Sequence, residues 1–294
     1  MLPSTVVNPA QLLSLYGLKW NPFASGVPID GLYCSPRIDS LGRRSELYLR
    51  EGGFALLTGA PGQGKSAALR IIDDRLSRMR DVVVRSVEHP QSAVSDFYRE
   101  LGDIFGVALT PRNRWGGFKA IREKWQAHVE ATLIRPVLII DEGQEMPVHV
   151  LNELRLLSSR DYDSRTLLFV ILAGDARLRD KLKTEDLLPL KSRVRTHVEL
   201  EAATPSELSD CLQHMIAAAG NAQLMTAAVI TALAEHASGN YRTLTMMAHE
   251  LLLAAAERDA RQIDDKLFFE IFALPEQQPR TTHHAPVHNR AKRR

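Results

Sequence analysis

The segment Gly59-Ala60-Pro61-Gly62-Gln63-Gly64-Lys65-Ser66 sets two glycines on either side of a short run and follows them with a lysine and a hydroxyl. Such a loop lets backbone N–H groups converge on phosphate oxygens, and a helix beginning behind it, here through Ala67, aims its positive end at the same anion. Lys65 then reaches the β- and γ-phosphates while the Ser66 hydroxyl ligates Mg2+. A second chemical pair, Asp141-Glu142, follows the apolar run Val137-Leu138-Ile139-Ile140. Two acids at a strand's carboxyl edge suit a Mg2+-dependent hydrolase, with Asp141 holding the metal and Glu142 polarising the attacking water. The adjacent glutamate favours hydrolysis over kinase chemistry, since the sequence shows no acceptor-binding lobe.

Arginines could complete the site. Arg193, with Arg195 second, lies in Leu187–Arg195, where a guanidinium could project toward a neighbouring subunit's γ-phosphate; the alternative is a solvated basic turn. Arg242 opens a helix in Ser238-Gly239-Asn240-Tyr241-Arg242. A cation at a helix start is unfavourable without an anion beside it. That anion would be a nucleotide phosphate or, alternatively, a local carboxylate such as Glu235.

These residues need a scaffold, and the chain is long enough for one large domain and a smaller one: 294 residues, 45% hydrophobic and 24% charged. A net charge of +2 says little about nucleic acid, although Arg280, Arg290, Lys292, Arg293 and Arg294 concentrate at the end without an acid. Cys34 and Cys211 lack metal-ligand spacing and are too few for a disulfide framework, which points to a reducing compartment. No apolar run approaches the roughly 18–20 residues of a membrane helix, and Met1 to Leu18 lacks the features of a signal peptide. The expectation is a cytoplasmic protein without a membrane partner.

Apolar runs alternate with helical periodicity. Strands are expected at 54–58, 82–87, 137–140, 167–172 and 194–200, with helices at 66–80, 93–106, 116–131, 148–158 and 175–184 between them. Continuous apolar strands separated by helices predict an α/β sandwich with a parallel sheet covered on both faces. Residues 205–272 carry only helical signals, opened by Thr204 as N-cap and Pro205 at the first position. The expected organisation is an N-terminal element over 1–50, a nucleotide-binding core over 51–203, a small all-α lid over 204–273 and a basic disordered tail over 274–294.

With these elements in this order the chain resembles the AAA+ P-loop ATPases. More narrowly it resembles the group of ExeA-type secretion ATPases and the transposition regulators TnsC, TniB, MuB and IstB. The narrower resemblance rests on Tyr16-Gly17-Leu18-Lys19-Trp20-Asn21-Pro22-Phe23, on Asp141-Glu142-Gly143-Gln144, on Leu172-Ala173-Gly174-Asp175, and on Ser238–Arg242 with Tyr241 in place of a proline. It implies ATP and Mg2+ as cofactors, Asn21, Pro22 and Phe23 near the adenine, and Arg242 as the sensor-two arginine. The polar asparagine typical of sensor one is missing after the strand at 167–172, leaving Asp175 in its neighbourhood. ExeA-type proteins carry a membrane helix and a cell-wall-binding domain after the ATPase. Their absence here favours the transposition branch: an ATPase that forms rings or filaments on double-stranded DNA without reading sequence and recruits a transposase, with a target-selector protein as a further partner. The alternatives are secretion or envelope assembly and helicase loading or replication initiation. Arg112, Arg114 and Lys119, in a stretch with five basic residues and one acid, are the expected phosphate contacts; a solvated helix face is the other reading. Arg155, Arg160 and Arg165 form a weaker basic set.

Overall fold

The computed structural model describes residues 8–106, 117, 119–120, 123–124, 127–128, 131, 135–160, 165–166 and 168–272. Five strands, β1 (Gly53–Gly59), β2 (Val82–Val87), β3 (Arg135–Ile140), β6 (Phe169–Gly174) and β7 (Val194–Leu200), form one parallel sheet in the order β2-β3-β6-β1-β7. A two-residue ribbon, β4 (Ser159–Arg160) with β5 (Arg165–Thr166), stands apart from it. Every residue of β1 is buried, as a central strand covered on both faces requires.

Alternation along the strands divides the core. Ala55, Leu57, Val137, Ile139 and Ile171 pack with Leu41 of helix α2 (Pro36–Tyr48) and Ile72 of α3 (Lys65–Ser77). Phe54, Leu56, Leu138, Ile140 and Val170 pack on the other face with Phe97 of α4 (Val94–Phe105) and Leu154 of α5 (Val148–Ser158). The described positions between 117 and 131 are helical. Short helices α6 (Ala176–Lys181) and α7 (Leu188–Lys191) lead from β6 to β7.

β6 lies two residues further along than the hydrophobic run 167–172 predicts. Its pairing with β1 continues to Thr58↔Gly174, and this partnership, not apolarity, sets the strand's end. Gly174 is required there because a Cβ would stand 2.4 Å from the Gln144 Oε1.

The helical body begins as expected. Thr204 caps α8 (Pro205–Ala218) by accepting from Glu207 N at 3.2 Å, while Glu207 Oε2 accepts from Thr204 N at 2.8 Å. Helices α9 (Ala227–His236), α10 (Tyr241–Glu257) and α11 (Asp265–Phe272) follow. Its core, however, recruits the other end of the chain. Leu12 and Tyr16 of α1 (Pro9–Tyr16), with Leu18 and Phe23, are buried among Leu212, Leu233, Leu251 and Phe268. At about 1.5–3 kcal/mol for each buried side chain, these four make the segment part of the bundle. Lys19 N also donates to Ala219 O at 2.8 Å, and Asn221 Nδ2 to Tyr16 O at 2.9 Å. The stretch expected as one N-terminal element over 1–50 is therefore split, its first part belonging to the helical body. No helix of the described residues is long and apolar enough to cross a membrane.

Candidate nucleotide-binding site

The strand order brings the carboxyl ends of β1, β3 and β6 to one edge, with β6 between the loop-bearing β1 and the acid-bearing β3. The loop after β1 turns through Gly62 and Gly64, both left-handed at φ 83° and 87°, a conformation glycine takes without the Cβ penalty. Lys65 is only 8% exposed. Its Nζ donates to Gly59 O at 2.8 Å and Ala60 O at 3.3 Å, so the ammonium is folded over the loop.

The expected metal ligands meet: Ser66 Oγ donates to Asp141 Oδ2 at 3.2 Å. Both are hard oxygen donors and suit Mg2+. Among the described residues no group of three or more His, Cys, Asp or Glu could hold a metal ion. A Mg2+ here would therefore draw its remaining ligands from phosphate and water, which is its habit in nucleotide sites.

Glu142 sits in the left-handed region at φ 52°, ψ 38°, a conformation that costs a non-glycine residue about 1–3 kcal/mol and clusters at functional sites. Gln144, 5% exposed, holds it there. Its Nε2 donates to Glu142 Oε2, and its Oε1 accepts from Asp175 N at 3.2 Å. Lys181 Nζ donates to the backbone carbonyls of Gln144 and, at 2.7 Å, Met146; burial depresses this lysine's pKa. One buried amide thus links Glu142 to the end of β6, a tie the sequence motif does not announce.

Lys65, Ser66, Glu142, Asp175 and Arg242 line a common cavity of about 980 Å³, counted to its open mouth. Arg242 forms no ion pair with Glu235 or any other carboxylate among the described residues. The lid is fastened to the loop by Asn240. Its Oδ1 accepts from Arg242 N and Thr243 N at 2.9 and 3.1 Å, its Nδ2 donates to Pro61 O at 3.1 Å, and Arg242 N also reaches Gly62 O at 3.3 Å.

Beside the loop a second cavity of about 130 Å³ is lined by Tyr33, Ile38, Leu200, Cys211 and Met215 and shares Gly64, Ala67 and Tyr241 with the first. Burial pushes the Cys211 thiol up to about 12 and raises the Tyr241 phenol further, so both stay neutral. Arg37, Glu201 and Glu207 also line this slot, so it combines an apolar wall with charged groups and shares part of its lining with the first cavity. Asn21, Pro22 and Phe23, expected near the adenine, do not line it. Phe23 is consumed by the helical core, and Asn21 accepts from Phe23 N at 3.0 Å and contacts His249 Nε2 at 3.3 Å. The apolar slot is lined by residues 31–38 and α8 instead.

Arg193 lines neither cavity; its Nη1 donates to Pro189 O within its own turn. Arg112 and Arg114 lie outside the described residues. Lys119 is exposed and pairs with Glu123 at 3.7 Å, as a solvated helix face does. Arg155 is half-buried on α5, and the side chains of Arg160 and Arg165 are outside the description.

The parallel sheet and the loop it carries have the AAA+ P-loop fold, and residues 49–182 match the family model described as an AAA domain. The chain is 26% identical over 253 residues to General secretion pathway protein A of Aeromonas hydrophila, covering 84% of this chain and 45% of that protein. It therefore spans less than half of this relative's length. Among solved structures it is similar to the ORC2 protein of Aeropyrum pernix, with a TM-score of 0.65 at 15% identity over 85% of this chain and 70% of that one. The RuvB Holliday junction branch migration motor of Thermotoga maritima gives 0.57 at 17% identity, covering 85% and 72%. At such identities the likeness is one of fold.

Proposed function

We propose that the chain hydrolyses ATP with Mg2+ between its core and its helical lid, as one subunit of an assembly of like chains. The convergence of Lys65, Ser66, Glu142 and Arg242 on one cavity beside an apolar slot carries this reading. Lys65 leaves the loop carbonyls for the β- and γ-phosphates, and Glu142 accepts the proton of the attacking water. Mg2+ held by Ser66 and Asp141 neutralises phosphate charge. Arg242 reports the γ-phosphate to the lid, and Arg193 reaches the next subunit's nucleotide. Glu142→Gln should keep ATP affinity and lose turnover; retained hydrolysis would remove Glu142 from its role.

What the hydrolysis drives follows from the similarity across most of the chain to a secretion-pathway protein, which favours ATP-controlled assembly of secretion or envelope machinery. The expectation of transposition gives way to it. A second reading, an ATPase on duplex DNA in transposition or in replication initiation, is favoured by the fold shared with the ORC1 protein of Aeropyrum pernix solved in complex with DNA, at a TM-score of 0.61 and 15% identity. Turnover and gel shift with random duplex DNA at low and high salt separate the two. Indifference to DNA in every nucleotide state supports the first, whereas DNA-stimulated turnover with salt-sensitive binding supports the second. Nucleotide-dependent recovery of Glu142→Gln with a membrane fraction would be the positive sign of the first.

A further inference from the structure

β6 brings Ala173 and Gly174 to the phosphate edge without a side-chain donor, and the next side chain, the Asp175 carboxylate, lines the phosphate cavity. An anion facing a triphosphate is repulsive. Arg177, two residues on in α6, lines the same cavity. Its Nε donates to Asp175 Oδ2 at 2.8 Å and its Nη2 lies 3.0 Å from Glu145 Oε1. The guanidinium is 66% exposed, and ion pairs at such exposure are worth about 0–1 kcal/mol, so both are readily exchanged. Lys65, Arg177 and Arg242 are the cations lining this cavity. Lys65 comes to this cavity from the loop and Arg242 from the helical body, which leaves Arg177 as the cation supplied by the element that follows β6.

We infer that Arg177 is a catalytic residue of the core, trading Glu145 for an oxygen of the γ-phosphate when ATP is bound. This rests on the ATPase reading above. A phosphate accepts from the planar guanidinium in two parallel bonds, which are stronger and more directional than an exposed pair. Asp175, which also caps α6 by accepting from Arg177 N at 2.8 Å, stays as the group that orients the arginine. Glu145 ends the turn Gly143–Glu145 that follows Glu142 and contains Gln144. Its release frees that turn at the moment the γ-phosphate arrives. The arginine thus supplies from α6 the γ-phosphate contact that the end of β6 cannot.

The test compares Arg177→Ala and Arg177→Lys with wild type for kcat, KM and the ratio of ATP to ADP affinity, with melting temperature as the check on folding. Arg177→Ala should lower kcat about 100-fold and collapse the ATP-to-ADP ratio, leaving ADP affinity within about twofold. Arg177→Lys should recover part of the ratio and less of kcat. Glu145→Gln, which weakens the resting partner and keeps the arginine, should raise the ratio. Mixing Arg177→Ala with Lys65→Ala subunits should give no rescue, since the arginine serves its own subunit's nucleotide. The inference is overturned if Arg177→Ala turns over normally with an unchanged ratio. Rescue on mixing overturns it too, as does an inactive Arg177→Ala beside an unchanged ratio in Glu145→Gln, which would make Arg177 only a tie between turns. If wild type does not hydrolyse ATP, the broader reading falls, while the affinity ratio still decides the role of Arg177.

Discussion

Asn240 performs two tasks that substitution can separate. Its Oδ1 caps α10 and its Nδ2 holds Pro61 O. Asn240→Asp preserves the cap, because aspartate serves as well as asparagine there, but removes the donor and sets a carboxylate against the Pro61 carbonyl. Asn240→Ala removes both. Losing the cap costs about 1 kcal/mol, and losing an exposed neutral hydrogen bond about 0.5–1.5 kcal/mol. At about 2–4 °C per kcal/mol for a chain of this size, the alanine variant should melt several degrees below wild type and the aspartate variant between the two. Nucleotide affinity should behave differently. If the Pro61 bond holds the lid on the loop, both variants lose affinity by about two- to twelvefold, the same bond energy expressed as an equilibrium. Differential scanning fluorimetry and titration with a fluorescent ATP analogue measure the two effects. An aspartate variant that binds like wild type would refute the clip, and one that melts with the alanine variant would refute the separation. Gly62→Ala attacks the same contact from the loop, since its Cβ would stand 2.2 Å from Asn240 Oδ1, and should lose affinity at least as severely.

Arg193→Ala should lose hydrolysis, and mixing it with Lys65→Ala should restore some activity if the arginine acts between subunits; normal assembly without rescue would make it a structural turn. Gln144→Leu, which keeps volume but cuts both amide bonds, should lower kcat about tenfold, or 1.4 kcal/mol, with KM little changed, and a change confined to KM would contradict its positioning of Glu142. His197 Nε2 lies 2.8 Å from Thr58 Oγ1, and its pKa is held below the ordinary 6.5, chiefly by burial, with Arg179 lowering it and Glu199 opposing. The fold prefers the neutral ring. Its contribution is therefore complete above the ordinary value and lost as pH falls through the depressed one, so urea midpoints should drop as pH falls below the ordinary histidine value, and His197→Gln should flatten that drop.

The parts of the site legible in the sequence are those whose chemistry is local. The loop ending in Lys65-Ser66 is one contiguous motif, and Asp141-Glu142 terminates a strand that its own apolar run reveals. The cap at Thr204 is equally local, being closed by Glu207 three residues on. What escaped depends on distant partners. Gln144 gains its role from Asp175, 31 residues away, and Asn240 gains its clip from Pro61, 179 residues away. The apolar slot collects Tyr33, Ile38, Leu200, Cys211 and Met215 from separate elements, with no period or motif to bind them. Phe23 shows the converse: its motif marks it as special, but apolarity alone does not say which cavity or core receives the ring.

The burial of Leu12, Tyr16, Leu18 and Phe23 among α8 to α11 also sets an order of events during synthesis. These side chains leave the ribosome well before α8 to α11, whose residues from Leu208 to Phe268 are their partners. At about 5–20 residues per second the segment waits roughly 10–40 seconds with its apolar face uncovered, while the sheet completes behind it. The nucleotide core can close early, whereas the lid and its distant strap close only together. A fragment beginning at α8 would lack part of its own interior, the part that Leu12, Tyr16, Leu18 and Phe23 supply.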